Sequence, residues 1–419
     1  MAPFRIAVVN NRFFISGGPE RYLFNFSDLF SKYHHQIIPF CLDYKQNALS
    51  DYAHYFVKPL GKEGEIYFEN LSLSIDTLFR IVSRSFYSFE VKRAFSKLLN
   101  CEKIQIAYLL QHYGTFSPSI IDAAKRKKIP VVLRTSDFFL MCLNTLFLKK
   151  NRTCEDCLKK NLWQGVKDRC VKDSFWMSLF RAAVLSFHRT IKIYEKVDAF
   201  VCPSGFMAQK LKEFGFPEEK IHKIPSFLDP SAIQPDYTSD PYVLYFGRIS
   251  HEKGILDLVK AWHKLKPKSE RLLIVGNAHN REDIRIKQWV EDNQVTNIEF
   301  RGFQTGQALT KLISRARFTI VPSICYENMP NTLLESFAYG KPVIASNLGS
   351  IPETVRDGVD GVLFNSGNTD ELAAKLAYLL DHSKQVVEMG QNARKHLEED
   401  FSPSRHYQKL MEVFLSLSM

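Results

Sequence analysis

The sequence predicts an α/β protein of two doubly wound, Rossmann-like domains in series, and three observations predict it. Short apolar segments alternate with amphipathic ones along the whole chain, the pattern of buried parallel strands covered by helices. The alternation runs twice, and PSFLDPSAIQPDYTSDP, rich in Pro, Ser and Asp, separates the two runs. At 419 residues, 45% of them apolar, the chain can bury two ordinary cores and is long for one. The expected division is a first domain over 1–228, a linker over 229–241, a second domain over 242–402, and an amphipathic helix over 403–419 able to pack back on the first domain. Open parallel sheets bind ligands beyond the carboxyl ends of their strands, so the two domains should face each other across a central cleft that holds the site.

The first strand, FRIAVV, follows the start directly, without a basic region and long apolar stretch, and no segment approaches twenty uninterrupted apolar residues. A cytoplasmic, unexported chain is the expectation. After this strand comes NNRFFISGGPERY, where Gly17 and Gly18 precede the helix RYLFNFSDLFSKY; paired glycines allow close backbone approach and leave helix amides open to an anion. QIIPFCL and IQIAYLL are the next strands, and His112 stands just beyond the second. The helix SPSIIDAAKRKK ends in cations that suit its dipole. PVVLRT then leads into RTSDFF, with Ser136 and Asp137 at the strand end.

Residues near 140–175 lack periodicity and hold Cys142, Cys154, Cys157 and Cys170. Eight cysteines are too sparse for a disulfide framework. The four at this spacing either close a structural tetrahedral zinc site or are unligated thiols, and a four-thiolate site leaves no open position for chemistry. SFWMSLFRAAVLSFHRTIKIY reads as a core helix with Arg181 and His188 outward, or as an interfacial helix at a membrane surface. DAFVCPS and KIHKIP complete the first set of strands.

In the second run, YVLYFG is followed by FGRISHEKG, which sets Arg248 and Lys253 around a helix start, either as a clamp for a diphosphate or as partners in surface salt bridges. RLLIVG ends at Gly276, and IEFRG is followed by Phe303 and Gln304. RFTIVPS leads to YENMPNTLLESFAYG. There Glu327 lies on the incoming loop, Pro330 suits a first helical turn, and Glu335 lies on the helix, with the first-turn amides of Asn331, Thr332 and Leu333 between the two acids. Amides hold an anion and carboxylates accept from hydroxyls, so a ligand with phosphate in the middle and polyols at both ends would use the whole arrangement. PVIAS and GVLF are the last strands.

From GGPER through FGRISHEKG to the acid pair and YGKPVIASNLGSIPETVRDGVDGVLF, the chain resembles the GT-B glycosyltransferases of family 4, a retaining class. The resemblance implies a nucleotide-sugar donor. Glu327 would lie on the reacting side of the sugar, Glu335 on the ribose, Arg248 and Lys253 on the diphosphate. Asn331, Thr332, Leu333, Gly17 and Gly18 would lie against phosphates and sugar, with the base near Phe303 and Gln304. It implies no cofactor or divalent metal for catalysis, because cations and helix amides neutralise the leaving group. Many relatives carry His-Asp where this chain has Ser136 and Asp137; serine still hydrogen-bonds a hydroxyl but does not titrate near neutrality, and His112 is the imidazole nearest in sequence.

The net charge of +11 is uneven: residues 1–240 hold 34 Lys and Arg against 24 Asp and Glu. A basic first half suits a phosphorylated, glycan or lipid-linked acceptor at an anionic membrane face, with the protein peripheral on the inner side. No nucleic-acid recognition module accompanies the charge. The expected function is sugar transfer in surface polysaccharide or glycolipid assembly. The alternatives are a non-catalytic relative that binds a nucleotide or partner protein, and a nucleotide-sugar epimerase on the same fold.

Overall fold

The computed structural model describes residues 3–61, 74–278 and 281–418. The chain forms two compact units. The first contains 1–145, 155–224 and 407–419; the second contains 146–154 and 225–406.

The strands in chain order are β1 (Arg5–Val9), β2 (Gln36–Phe40), β3 (Ile106–Leu109), β4 (Val131–Arg134), β5 (Leu148–Lys149), β6 (Arg152–Thr153), β7 (Ala199–Cys202) and β8 (Ile221–Lys223). They continue with β9 (Tyr242–Phe246), β10 (Arg271–Val275), β11 (Ile298–Gly302), β12 (Thr319–Val321), β13 (Val343–Ser346) and β14 (Gly361–Phe364). The first unit carries a sheet of order β2-β1-β3-β4-β7-β8 and the second one of order β11-β10-β9-β12-β13-β14. Every pairing in both sheets is parallel. The inner strands are covered on both faces and read as apolar runs, while the edge strands β8 and β11 are only partly covered.

Strand order reverses beside β1 in the first sheet and beside β9 in the second. At such a switch point neighbouring strands send their following helices to opposite faces, and the loops part to leave a crevice at the carboxyl ends. In the second unit the crevice is bounded by the loops after β9 and β12, and in the first by those after β1 and β3.

The second unit's core holds Trp262, fully buried, whose indole N–H donates to Asn297 Oδ1 at 3.1 Å. In the first unit Trp163 and Trp176 are 48% and 74% exposed. Part of the last helix, Pro403–Ser418, also belongs to the first unit: Tyr407 stacks on Tyr33 at 3.8 Å, and the Phe414 ring sits among Phe4, Phe30 and Tyr108 at 5.8–6.4 Å.

The helix Phe175–Thr190 corrects one expectation. His188 is buried, not outward, with Nε2 2.8 Å from the Phe86 carbonyl, because that backbone acceptor needs a partner once it is covered. Of the cysteines, Cys142, Cys157 and Cys170 belong to the first unit and Cys154 to the second. Among the described residues, no group of three or more His, Cys, Asp or Glu is arranged to hold a metal ion. No helix among them is long and apolar enough to cross a membrane.

Candidate active site

Lys253 and Glu327 meet at the switch point of the second sheet. Lys253 closes a short turn, His251–Lys253, after β9, and Glu327 lies in the loop after β12. Lys253 Nζ is 2.5 Å from Glu327 Oε1, and Ser323 Oγ donates to the same oxygen at 2.6 Å. Burial pushes the Glu327 carboxyl up, but the Lys253 charge, its hydrogen bond and the Ser323 hydroxyl outweigh burial and hold it below its ordinary value. Burial likewise pulls the Lys253 ammonium down and Glu327 overrides it, leaving the ammonium above its ordinary value. The pair is fully ionised at neutral pH.

The two loops are stitched together. Ile324 N donates to the Glu252 carbonyl at 3.0 Å, and the Glu252 carboxylate accepts from Arg248 Nη2 at 2.9 Å and from Ser250 Oγ at 2.7 Å. Tyr245 OH donates to the Arg248 carbonyl at 2.7 Å, so the Arg248 backbone is fixed while its side chain stays half exposed. Two glycines permit the close packing. Gly254 has φ +68°, and a Cβ there would lie 2.0 Å from the Pro322 carbonyl oxygen; Gly349 has φ +61°, and a Cβ would lie 2.9 Å from the Glu327 carbonyl oxygen. Both demand left-handed backbone and leave no room for a side chain.

The helix after Glu327 spans Asn331–Ala338, with Pro330 as its N-cap and no side chain capping that end. Pro330 is therefore one position earlier than a first-turn residue, because its ψ of 125° is extended. Leu333 departs further from expectation: its amide donates to the Pro330 carbonyl at 3.1 Å and its side chain is wholly in the core. The open amides of the first turn are those of Asn331 and Thr332. Glu335 lies one turn on from Asn331 on the same face and is partly buried. The helix is pinned to β12 by Ser336 and Thr319, whose hydroxyls are 2.7 Å apart. Met329, just before the cap, has φ +141°, a strained value for a residue with a side chain. Phe303, after β11, is 62% exposed, and Gln304 donates to the Arg301 carbonyl at 2.8 Å.

In the first unit, Gly17 is the extended N-cap of the helix Gly18–Lys32; both glycines are exposed. Beneath them Glu20 is buried, which pushes its carboxyl up against the pull of Arg12. His112 is completely buried, with Nε2 3.2 Å from Tyr194 OH and Nδ1 lacking a hydrogen-bond partner among the described residues. Burial, with His188 nearby, holds it at about 3, so it is neutral at physiological pH and offers no titrating group. Asp137 accepts from Tyr113 OH and from Phe139 N, and the Tyr113 and Phe139 rings stack at 4.5 Å. Burial pushes the Asp137 carboxyl up. Ser136 beside it is partly exposed.

A family model described as Glycosyltransferase Family 4 matches residues 16–232, and one described as Glycosyl transferases group 1 matches residues 231–396. The chain belongs to the family 4 glycosyltransferases. Among curated relatives, the amylovoran biosynthesis glycosyltransferase AmsK of Erwinia amylovora is 25% identical over 51% of this chain and 55% of its own length. The alpha-maltose-1-phosphate synthase of Mycolicibacterium smegmatis is 27% identical over 42% of this chain and 48% of its own. The chain thus spans about half the length of the curated relatives it matches. Among solved structures, Anabaena HepE in complex with UDP-glucose superposes with a TM-score of 0.67 at 16% identity, over 98% of this chain and 99% of that one. The fold of this family 4 member is GT-B.

Sequence reasoning placed Arg248, Lys253, Glu327 and Glu335 after strands, but it missed Ser323, Glu252 and Gly349. Ser323 and Glu252 carry no motif signal of their own. Gly349, within SNLGSIP just after PVIAS, carried a usable one, since a glycine shortly after a buried strand invites a close backbone approach.

Proposed function

We propose that this family 4 chain transfers a sugar, with retention of anomeric configuration, from a nucleotide diphosphate donor to a glycan or lipid-linked acceptor in surface polysaccharide or glycolipid synthesis. The observation that carries the proposal is the ionised Lys253–Glu327 pair at a switch point, beside an uncapped helix N-terminus. The Arg248 guanidinium, the Lys253 ammonium and the amides of Asn331 and Thr332 would neutralise the donor diphosphate without a divalent metal. Glu327 spends Oε1 on Lys253 and Ser323, so Oε2 is the oxygen available to a hydroxyl of the bound sugar. Glu335 would accept from the ribose, and Phe303 would stack on the base.

In the reaction, the bond from the anomeric carbon to the diphosphate oxygen breaks, with its electron pair leaving on the diphosphate. The acceptor oxygen bonds to the same face of that carbon, and its proton passes to a donor phosphate oxygen. Burial makes the His112 imidazole a weak base, which favours the donor phosphate over it as the acceptor of that proton. The basic first half would draw an anionic acceptor, and peripheral association with an anionic membrane face belongs to the same proposal.

The test is thermal stability against UDP, GDP, ADP and their sugars, in the parent and in Arg248→Ala, followed by transfer assays with EDTA present. A nucleotide at a hundred times its dissociation constant adds about 2.7 kcal/mol. One nucleotide should stabilise the parent and lose that effect in Arg248→Ala, and sugar transfer should survive EDTA. If millimolar nucleotide shifts nothing, the donor site does not exist and the chain is a binding protein on a borrowed fold.

A further inference from the structure

Nine residues, Leu146–Cys154, fall in the sequence between β4 and β7 of the first sheet, yet they belong to the second unit. They form the hairpin β5/β6, pairing Leu148 with Thr153 and Lys149 with Arg152. In that unit it contacts the two loops that carry Glu327 and Lys253. Leu148 packs in one apolar cluster with Ile324 and Cys325, and Leu146 flanks it. Phe147, completely buried, meets the Tyr326 ring edge-on at 6.1 Å. At the tip, Asn151 Oδ1 is 2.8 Å from His251 Nε2. The hairpin thus touches the three residues directly before Glu327 and one residue two places before Lys253.

We propose that this hairpin is the positioning element of the site: Phe147 and Leu148 set the backbone from which Glu327 reaches Lys253, and Asn151 sets the turn that carries Lys253. The loop after β12 has no regular structure between Pro322 and Pro330 to hold it. Gly254 and Gly349 bring backbone against it from within the second sheet's own loops, and the hairpin supplies the remaining apolar wall. Phe147 and Lys150 hold φ of +49° and +54°, values that cost on the order of 1 kcal/mol each and persist where packing over-determines them. Such a support matters because a misplacement of about 1 Å at a reacting group lowers rate by about a hundredfold. Cys325 reports on the same contact: it is 3% exposed, and burial pushes its thiol up to about 12, so while the hairpin is seated it resists alkylation.

The proposal rests on the donor-site reading for its kinetic half and is independent of it for its chemical half. Phe147→Ala, Phe147→Leu and Asn151→Ala are prepared in the full chain. Iodoacetamide labelling of Cys325 is followed by peptide mass spectrometry, and kcat and donor KM are measured for transfer. Phe147→Ala should label Cys325 about tenfold faster than the parent below its melting temperature, through local opening. It should also lose about tenfold to a hundredfold in kcat, with donor KM within about threefold. Phe147→Leu should return both most of the way. Unchanged Cys325 labelling in Phe147→Ala overturns the proposal, as does a kcat equal to the parent's despite faster labelling, or a loss that Phe147→Leu does not repair. If the parent itself transfers no sugar, the reading of function fails, and Cys325 labelling still decides whether the hairpin holds the loop.

Discussion

Lys253 and Glu327 stand 74 positions apart in sequence and 2.5 Å apart in space, and their titration links the site to stability. Glu327 titrates below its reference of 4.5, so the stability it brings is complete above that value and is lost as pH falls through the folded pKa. Lys253 titrates above its reference of 10.5, so its share is complete below that value and is lost as pH rises through the folded pKa. Between these limits the pair is pH-independent. Lys253→Met removes the strongest opposition to burial at Glu327, leaving the Ser323 hydroxyl and the Arg248 charge, so its carboxyl moves up. The variant should lose about 1–3 kcal/mol relative to the parent at pH 8 and clearly less at pH 5, read from urea unfolding at the two pH values. Equal losses at both would mean that Glu327 is solvated after the substitution. Gly349→Ala forces a Cβ against the Glu327 carbonyl from a left-handed backbone, and should cost about 1–3 kcal/mol and weaken nucleotide-sugar binding. A calorimetric titration that matches the parent would show that the loop yields without moving Glu327.

The elements of regular structure were the most legible in the sequence. A parallel strand buried on both faces is an unbroken apolar run, as in Ala199–Cys202, whereas the edge strand β8, only partly covered, carries a weaker signal within KIHKIP. The β5/β6 hairpin carries none. Its strands are two residues each, LKKNRT has no alternation, and its partners Ile324, Cys325 and Tyr326 lie far along the chain, so no local period encodes the contact. His188 misled for a related reason: polarity placed it outward, whereas a carbonyl 102 positions earlier drew it in. At the candidate site, spacing located the acids and cations, but the bonds among Ser323, Glu252 and the two loops depend on how neighbouring strands end. The last helix carries its own prediction. Phe414 is completely buried among Phe4, Phe30 and Tyr108, so Phe414→Ala should cost about 3–5 kcal/mol in the first unit, measured as a lowered midpoint of its unfolding. A loss below about 1 kcal/mol would show that the helix end frays in solution.

For the molecule as a whole, the positive excess before residue 241 predicts a salt-sensitive encounter with any anionic acceptor or surface. Flotation with vesicles containing anionic lipid should retain the protein at about 50 mM salt and release it near 500 mM, where the Debye length falls to about 4 Å. Zwitterionic vesicles should not retain it. Retention that ignores salt would assign the interaction to apolar contact. The tryptophans also divide by unit: Trp163 and Trp176 are open to solvent in the first, while Trp262 is sealed in the core of the second and Trp289 is partly covered. Each unit therefore emits with its own colour and its own susceptibility to a quencher. Iodide would silence the long-wavelength light of the exposed pair and leave the blue emission of Trp262, so the second unit can be watched as it unfolds, without a dye attached.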